Sequence, residues 1–124
     1  KHTRLSNCNN KDELIDELVI SANYIESKLG KKVEHFAFTF GNIESFSNAA
    51  MEVAKSQFSF IYSGVRGNNI NNVSPLAIRR DVAAYQLSNN EYRIFDEKLL
   101  KTFLDGAADF RYSQAKRKLD SWCR

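Results

Sequence analysis

The chain has 124 residues, of which 43% are hydrophobic and 12% aromatic, and its formal net charge is +3. This apolar content suffices for a packed core and excludes a disordered chain, and the length suits one domain or part of a larger one. No apolar run approaches the roughly 18 residues of a membrane-spanning helix, so we expect no membrane segment.

Residues 10–30 give the clearest helical pattern. Asn10 can cap the helix and Glu13 follows three residues later, as in a capping box. Gly30 is a suitable terminator because the residue after a helix often needs a positive φ. Between them, apolar residues at helical spacing form one stripe: Leu14, Ile15, Leu18, Ala22, Ile25 and Leu29.

Strands and helices alternate in the rest of the chain. Residues 33–40 are almost wholly apolar, which predicts a strand buried on both faces, as in a parallel sheet covered by helices. Further strands are predicted at 58–62 and 76–82. Helices are predicted at 45–55, 95–104 and 112–122, with an Asn/Gly-rich connection at 64–75 and a polar turn at 88–90. This order predicts right-handed crossovers and parallel strands.

Three strands do not close a barrel, so we expect an edge and a face of the sheet that this chain leaves uncovered. The chain also opens without an initiator Met, and we expect a cleavage or boundary upstream of Lys1. The predicted partners are therefore a missing N-terminal half or a second copy of the chain.

Basic residues collect near the end of the chain, at Arg111, Lys116, Arg117, Lys118 and Arg124. They lack interleaved aromatics and glycine-rich loops, so we interpret them as a solvated helix face and expect no nucleic-acid partner. Cys8 and Cys123 have no C-x-x-C spacing, which excludes a zinc ribbon. The sequence does not decide whether they form a disulfide, and therefore does not indicate the redox compartment of the protein.

Two motifs carry a resemblance to a known family. Residues 2–6 (HTRLS) precede the acidic start of the first helix, and residues 36–41 (FAFTFG) end the first strand. In this order they resemble the segment that follows the second metal histidine of the polysaccharide deacetylase (NodB-homology) family, whose strand reads Phe-Ala-Tyr-Pro-Phe-Gly. Residues 59–62, 75–80 and 104–109 resemble later parts of the same domain, so the resemblance covers essentially the whole chain.

The resemblance implies an α/β fold in which residues 1–124 are a single unit, the C-terminal part of a distorted (β/α) barrel with mainly parallel strands. The N-terminal half of the barrel is missing from this chain. It implies a metal-dependent hydrolase that removes acetyl groups from carbohydrates, with an acetylated carbohydrate as partner. The bacterial cell envelope or the secreted fraction is the expected location. The chain alone is expected to be inactive.

The resemblance also assigns the site residues. His2 matches the second metal histidine, and the other histidine and the aspartates of the family lie upstream of Lys1. The expected cofactor is a divalent metal ion, with zinc preferred. Because a catalytic zinc uses three protein ligands, His2 cannot hold it alone. Phe40 and Gly41 are expected to shape the acetyl pocket and stabilise the oxyanion.

Arg79 and Arg80 follow a predicted strand. One of them, for which we select Arg80, could hold a catalytic carboxylate in its ionised form, and the alternative is a structural salt bridge. Amides of the Asn-rich connection could bind sugar hydroxyls, although such loops are more often plain turns.

The sequence departs from the family at three points. Phe38 and Thr39 stand where the family has Tyr and Pro, and no Leu-x-His motif follows to supply the catalytic acid. His35, the other histidine of the chain, is interpreted as structural, and Phe36, Phe38 and Phe40 as core residues, with a pocket role open for Phe40. These departures keep a second function open, that of a non-catalytic carbohydrate-binding or structural module with the same fold.

Overall fold

The computed structural model describes residues 3–8, 10–70, 73–80, 85–87, 93–107 and 109–123. The helices are α1 (Lys11–Ile15), α2 (Ser21–Leu29), α3 (Asn48–Gln57), α4 (Glu97–Leu104) and α5 (Ser113–Ser121). The strands are β1 (His35–Ala37), β2 (Phe60–Tyr62), β3 (Tyr85–Leu87) and β4 (Arg93–Phe95). Short 3-10 turns lie at Leu5–Asn7, Ile43–Ser45, Pro75–Ala77 and Asp109–Tyr112.

The predicted first helix is confirmed, with one irregularity. The Asn10 side chain accepts a 2.8 Å hydrogen bond from the Glu13 amide, and Gly30 ends the helix with φ 63°. A π-helical turn, Asp16–Ile20, joins α1 to α2. The apolar stripe is buried at Leu14, Leu18 and Ala22, but Ile25 and Leu29 are 44% and 67% exposed. The described part of the chain thus leaves the C-terminal end of the stripe uncovered.

Parallel pairing organises the first sheet, as the sequence predicts. β1 pairs with β2 in the register His35–Phe60, Phe36–Ile61 and Ala37–Tyr62. An isolated parallel bridge between Tyr62 and Ile78 adds a third segment.

All three predicted strands are shorter in the structure, and the strand predicted at 58–62 is observed as β2 at Phe60–Tyr62. The strand predicted at 33–40 ends at Ala37, and Phe40 and Gly41 have φ values of 63° and 71°, which extended backbone does not allow. The strand predicted at 76–82 is reduced to the bridge at Ile78, because Pro75–Ala77 forms a 3-10 turn. Residues 81 and 82 lie outside the described residues.

Burial on both faces of β1 is a wrong prediction. Phe38 and Ile61 are 2% and 0% exposed and belong to the same core cluster as Leu18 of the first helical segment and Met51 of α3. On the opposite face, His35 and Ala37 are exposed. The physical reason is that the helical side chains contribute to the core on one face only, and no described element covers the other.

The sequence did not predict β3 and β4, which pair antiparallel from Tyr85–Phe95 to Leu87–Arg93. The helix predicted at 95–104 begins two residues later, where the Asp96 side chain caps α4 by accepting from the Leu99 amide at 2.8 Å. The predicted turn at 88–90 lies outside the described residues.

The helix predicted at 112–122 is confirmed as α5, Ser113–Ser121. Leu119 of α5 is fully buried, and the Trp122 ring stacks on Phe46 with centroids 5.5 Å apart. One of the basic residues of this helix, Lys116, forms an ion pair with Asp109. Cys8 and Cys123 do not form the disulfide that the sequence left open. None of the described helices combines the length and the apolar character needed to cross a bilayer.

Candidate functional site

The carboxyl ends of the parallel segments bring predicted site residues together. β1 ends at Ala37 and β2 at Tyr62, and the third segment pairs through Ile78. Because parallel strands end at the same sheet edge, residues 38–41, 63–64 and 79–80 all follow this edge. Phe40, Gly41 and Arg80 therefore belong to one neighbourhood, although Arg80 is 39 positions from Gly41 in the sequence.

Gly41 is fixed by a close approach to Gly64. The Gly64 amide donates a 2.7 Å hydrogen bond to the Gly41 carbonyl oxygen. A Cβ atom on Gly41 would lie 2.5 Å from the Gly64 nitrogen and 2.9 Å from Nη2 of Arg80. With φ 71° as well, this position requires glycine on both conformational and steric grounds.

Arg80 is anchored on two strand ends at once. Its Nε donates to the Ser63 carbonyl oxygen at 2.6 Å, and its Nη2 donates to the Phe38 carbonyl oxygen at 3.3 Å. A guanidinium has five N–H donors, so others stay available for a ligand. Arg80 is exposed, and among the described residues no carboxylate forms an ion pair with it. This arrangement can bind an anionic or carboxylate group at the sheet edge.

Phe40 presents its ring to solvent beside the same edge. The residue has φ 63°, which is unusual for an aromatic side chain, and is 58% exposed. The Arg4 guanidinium carbon lies 5.3 Å from the ring centroid. Phe36 and Phe38 instead pack in the core, with ring centroids 5.0 Å apart. The structure thus separates Phe40 from the core stripe in which the sequence placed it.

Arg79 forms a structural salt bridge, the alternative that the sequence left open for this pair of arginines. Its Nη2 lies 3.1 Å and 3.3 Å from the two carboxylate oxygens of Asp120, and its Nη1 donates to the Asn68 carbonyl oxygen at 3.1 Å. Asn69 exchanges two 2.9 Å hydrogen bonds with the Arg79 backbone through its side-chain amide. These two members of the Asn-rich connection therefore hold the neighbouring chain in place.

His35 lies at the start of β1, away from the carboxyl edge. Its Nδ1 is 3.0 Å from the Tyr62 hydroxyl oxygen, and its ring stacks on Phe60 with centroids 4.6 Å apart. Both contacts are with the neighbouring strand β2, which supports the structural interpretation of this histidine. His35, Phe60 and Tyr62 together form a ring cluster on the face of the sheet opposite the core.

The described residues do not fit a divalent metal ion. His2, the predicted ligand, lies outside the described residues. Within the part of the chain that the structure describes, no three or more His, Cys, Asp and Glu side chains come together in a way that could hold a metal. Any metal site of the kind that the resemblance implies would need ligands beyond these residues.

Sequence reasoning missed the main-chain partners of the site, Ser63 and Gly64. Gly64 lies two residues after the strand predicted at 58–62, and a glycine at that place is the signal that could have pointed to a close backbone approach. Ser63 contributes through its carbonyl oxygen. Because every residue has this group, the sequence gives no signal for its role. Comparison of the chain with models of known protein families and with curated protein sequences finds no match.

Proposed function

We propose that this chain is the C-terminal part of a (β/α)-barrel domain of the carbohydrate deacetylase type, which removes acetyl groups when the barrel is complete. The observation that carries the proposal is the convergence of Phe40, Gly41 and Arg80 at the carboxyl edge of the parallel sheet. Phe40 and Gly41 were selected from a motif and Arg80 from its place after a strand, and sites of (β/α) barrels gather at this edge.

The two faces of the sheet support the barrel part of the proposal. In such barrels helices cover the outer face of the strands, while the inner face is filled by side chains from neighbouring strands. Here side chains of α1, α2, α3 and α5 join the core on one face, and the ring cluster of His35, Phe60 and Tyr62 lies on the other. The ring cluster then corresponds to an interior layer that the remaining strands would enclose.

Each site residue has a role in acyl transfer under this proposal. The exposed ring of Phe40 forms one wall of the pocket for the acetyl group. The backbone at Phe40 and Gly41, fixed by the Gly64 hydrogen bond, presents amide donors to the oxyanion that develops when water attacks the acetyl carbonyl. Arg80 pairs with a carboxylate from the rest of the domain and holds it ionised, ready to accept a proton from that water. Collapse of the tetrahedral intermediate breaks the bond between the acyl carbon and the sugar nitrogen or oxygen, the proton passes to that sugar atom, and acetate is released.

The resemblance adds a divalent metal ion, expected to be zinc, with His2 as one ligand. The described residues do not supply a ligand set for this ion. A chelator tests this part separately from the rest of the proposal.

The test compares residues 1–124 with a longer polypeptide that includes the upstream part of the domain. Each is incubated with N-acetylated and O-acetylated oligosaccharides, with and without a chelator, and released acetate is measured. We expect release by the longer polypeptide only, and its loss with the chelator. Activity that a chelator leaves unchanged would contradict the metal assignment. Oligosaccharide binding without acetate release would support the non-catalytic module instead.

A further inference from the structure

The outer face of the first helical segment carries two large apolar side chains that the core does not use. α1, the π-helical turn and α2 form this segment, residues 11–29. Its inner face supplies Leu18 and Ala22 to the core. Ile20 and Tyr24 lie two positions further along, about 200° around the helix, and are 55% and 65% exposed. Because these two residues are about one turn apart, they form an apolar strip that is open to contact.

These two side chains are the middle of a row of four. Residues four apart form a ridge along a helix. This ridge consists of Asp16, Ile20, Tyr24 and Lys28, and all four residues are exposed. Its order is acidic, apolar, apolar, basic. When a second ridge of the same sequence runs antiparallel to it, the acid faces the base and Ile20 faces Tyr24. The ridge is therefore complementary to an antiparallel copy of itself in charge and in apolar character.

A hollow of about 420 Å³ lies beside this ridge. The described residues that line it are the first three residues of the ridge and the residue after each of them, Glu17, Ser21 and Ile25. The hollow is therefore the groove between two neighbouring rows of the helix surface, and the small Ser21 side chain lies at its middle. Helices pack by placing a ridge of one in a groove of the other, and rows of this kind cross at about 50°.

The basic end of the ridge also selects the direction of a partner helix. The Lys28 Nζ lies 5.4 Å from the centroid of the Tyr24 ring. In an antiparallel pair, the Lys28 stem covers this ring while the ammonium group reaches Asp16 of the second copy. In a parallel pair, Asp16 would face Asp16 and Lys28 would face Lys28, which is unfavourable because like charges repel.

We propose that two copies of this chain associate through their first helical segments, antiparallel about a twofold axis near position 22. The ridge of each copy lies in the groove of the other, and each Asp16 faces Lys28 of the other copy. A twofold contact uses the same surface on both copies and closes at a dimer. Since this surface lies on the side of the helix opposite the core, it is separate from the sheet edge and from the candidate site. The proposal does not depend on the proposed function.

Sedimentation equilibrium of the 124-residue chain tests the contact. A single helix pair is a small interface, so we expect weak association, with a dissociation constant of about 10 to 100 μM. Tyr24→Ser removes the ring from both ridges and should raise this constant by about tenfold or more. Leu29→Ser is the matched control, because Leu29 is 67% exposed on the same helix but continues the stripe on its inner face. It should leave the constant nearly unchanged.

Charge reversal tests the direction of the pair. Asp16→Lys alone and Lys28→Asp alone should each weaken association by about fivefold or more, because each places like charges opposite one another. The two positions are about 18 Å apart along one helix, so the side chains do not pair within a chain. A mixture of the two single variants restores both contacts between opposite charges. We expect this mixture, and the variant that carries both changes, to associate as the parent chain does.

Four results would overturn the proposal. A parent chain that stays monomeric at roughly millimolar concentration would show that no second copy binds. Equal effects of Tyr24→Ser and Leu29→Ser would place the contact on another surface. A mixture of the charge variants that associates no better than either variant alone would exclude the antiparallel arrangement. Growth beyond a dimer would contradict a closed twofold contact.

Discussion

The Gly64 amide donates a 2.7 Å hydrogen bond to the Gly41 carbonyl oxygen, and the two glycines approach so closely that neither backbone leaves room for a side chain between them. This contact ties the end of β1 to the end of β2. It also places the Gly41 backbone within reach of the Arg80 guanidinium. The geometry of the candidate site therefore depends on a main-chain contact more than on any ionisable side chain.

The first prediction concerns Gly41. Gly41→Ala places a methyl group 2.5 Å from the Gly64 nitrogen at a left-handed backbone position, and we expect the free energy of unfolding to fall by about 2 kcal/mol or more. Gly30→Ala is the matched control, since Gly30 has φ 63° but nothing within 4 Å of the added carbon. It should cost only about 1 kcal/mol, the left-handed penalty. Urea denaturation measures both, and equal losses would refute the close contact.

A second prediction addresses the Arg79–Asp120 pair. The Arg79 side chain is 13% exposed and that of Asp120 is 40% exposed, with a 3.1 Å contact between them. A double-mutant cycle with Arg79→Gln and Asp120→Asn should give a coupling of about 0.5 to 1 kcal/mol, because one partner is well solvated. High salt should reduce it only partly. Additive single effects would show that the two side chains do not interact in solution.

A third prediction uses the Cys123 thiol. Burial raises its pKa above the ordinary value of 9.0, and the nearby Lys55 opposes this only in part. The thiolate is the reactive form, so at pH 8 Cys123 should react with iodoacetamide more slowly in the folded chain than in urea. Because the folded pKa is the higher one, this thiol contributes stability below pH 9.0 that is lost as the pH rises through the folded value. Faster alkylation of the folded chain would contradict the burial.

The sequence predicted elements whose signals are local. The helix at residues 10–30 follows from a cap at Asn10, a stripe of apolar residues and a terminator at Gly30, and all three appear in the structure. The antiparallel β3 and β4 were missed because three-residue strands are too short to show an alternating pattern. The strand at 33–40 was predicted too long because a phenylalanine at φ 63° gives no warning in the sequence.

Sequence reasoning selected the residues of the candidate site but not the contacts that bring them together. Phe40 and Gly41 were selected from a motif, and Arg80 from its place after a strand. The choice between Arg79 and Arg80 depends on Asp120 for one and on the Phe38 carbonyl oxygen for the other, which are 41 and 42 residues away. Contacts between residues so far apart in the chain are set by the fold. A single sequence contains no spacing pattern that would reveal either of them.

The most direct test of the proposed function measures acetate release by the upstream-extended polypeptide carrying Arg80→Lys. Lysine cannot reach the Ser63 and Phe38 carbonyl oxygens and a carboxylate together, since it lacks the planar guanidinium. Arg79→Lys is the matched control, because Arg79 pairs with Asp120. Provided that both variants melt near the parent temperature, we predict that Arg80→Lys lowers kcat by about tenfold or more while Arg79→Lys leaves it nearly unchanged. Equal activity of the two variants, or no acetate release by the parent polypeptide on any acetylated oligosaccharide, would contradict the proposal.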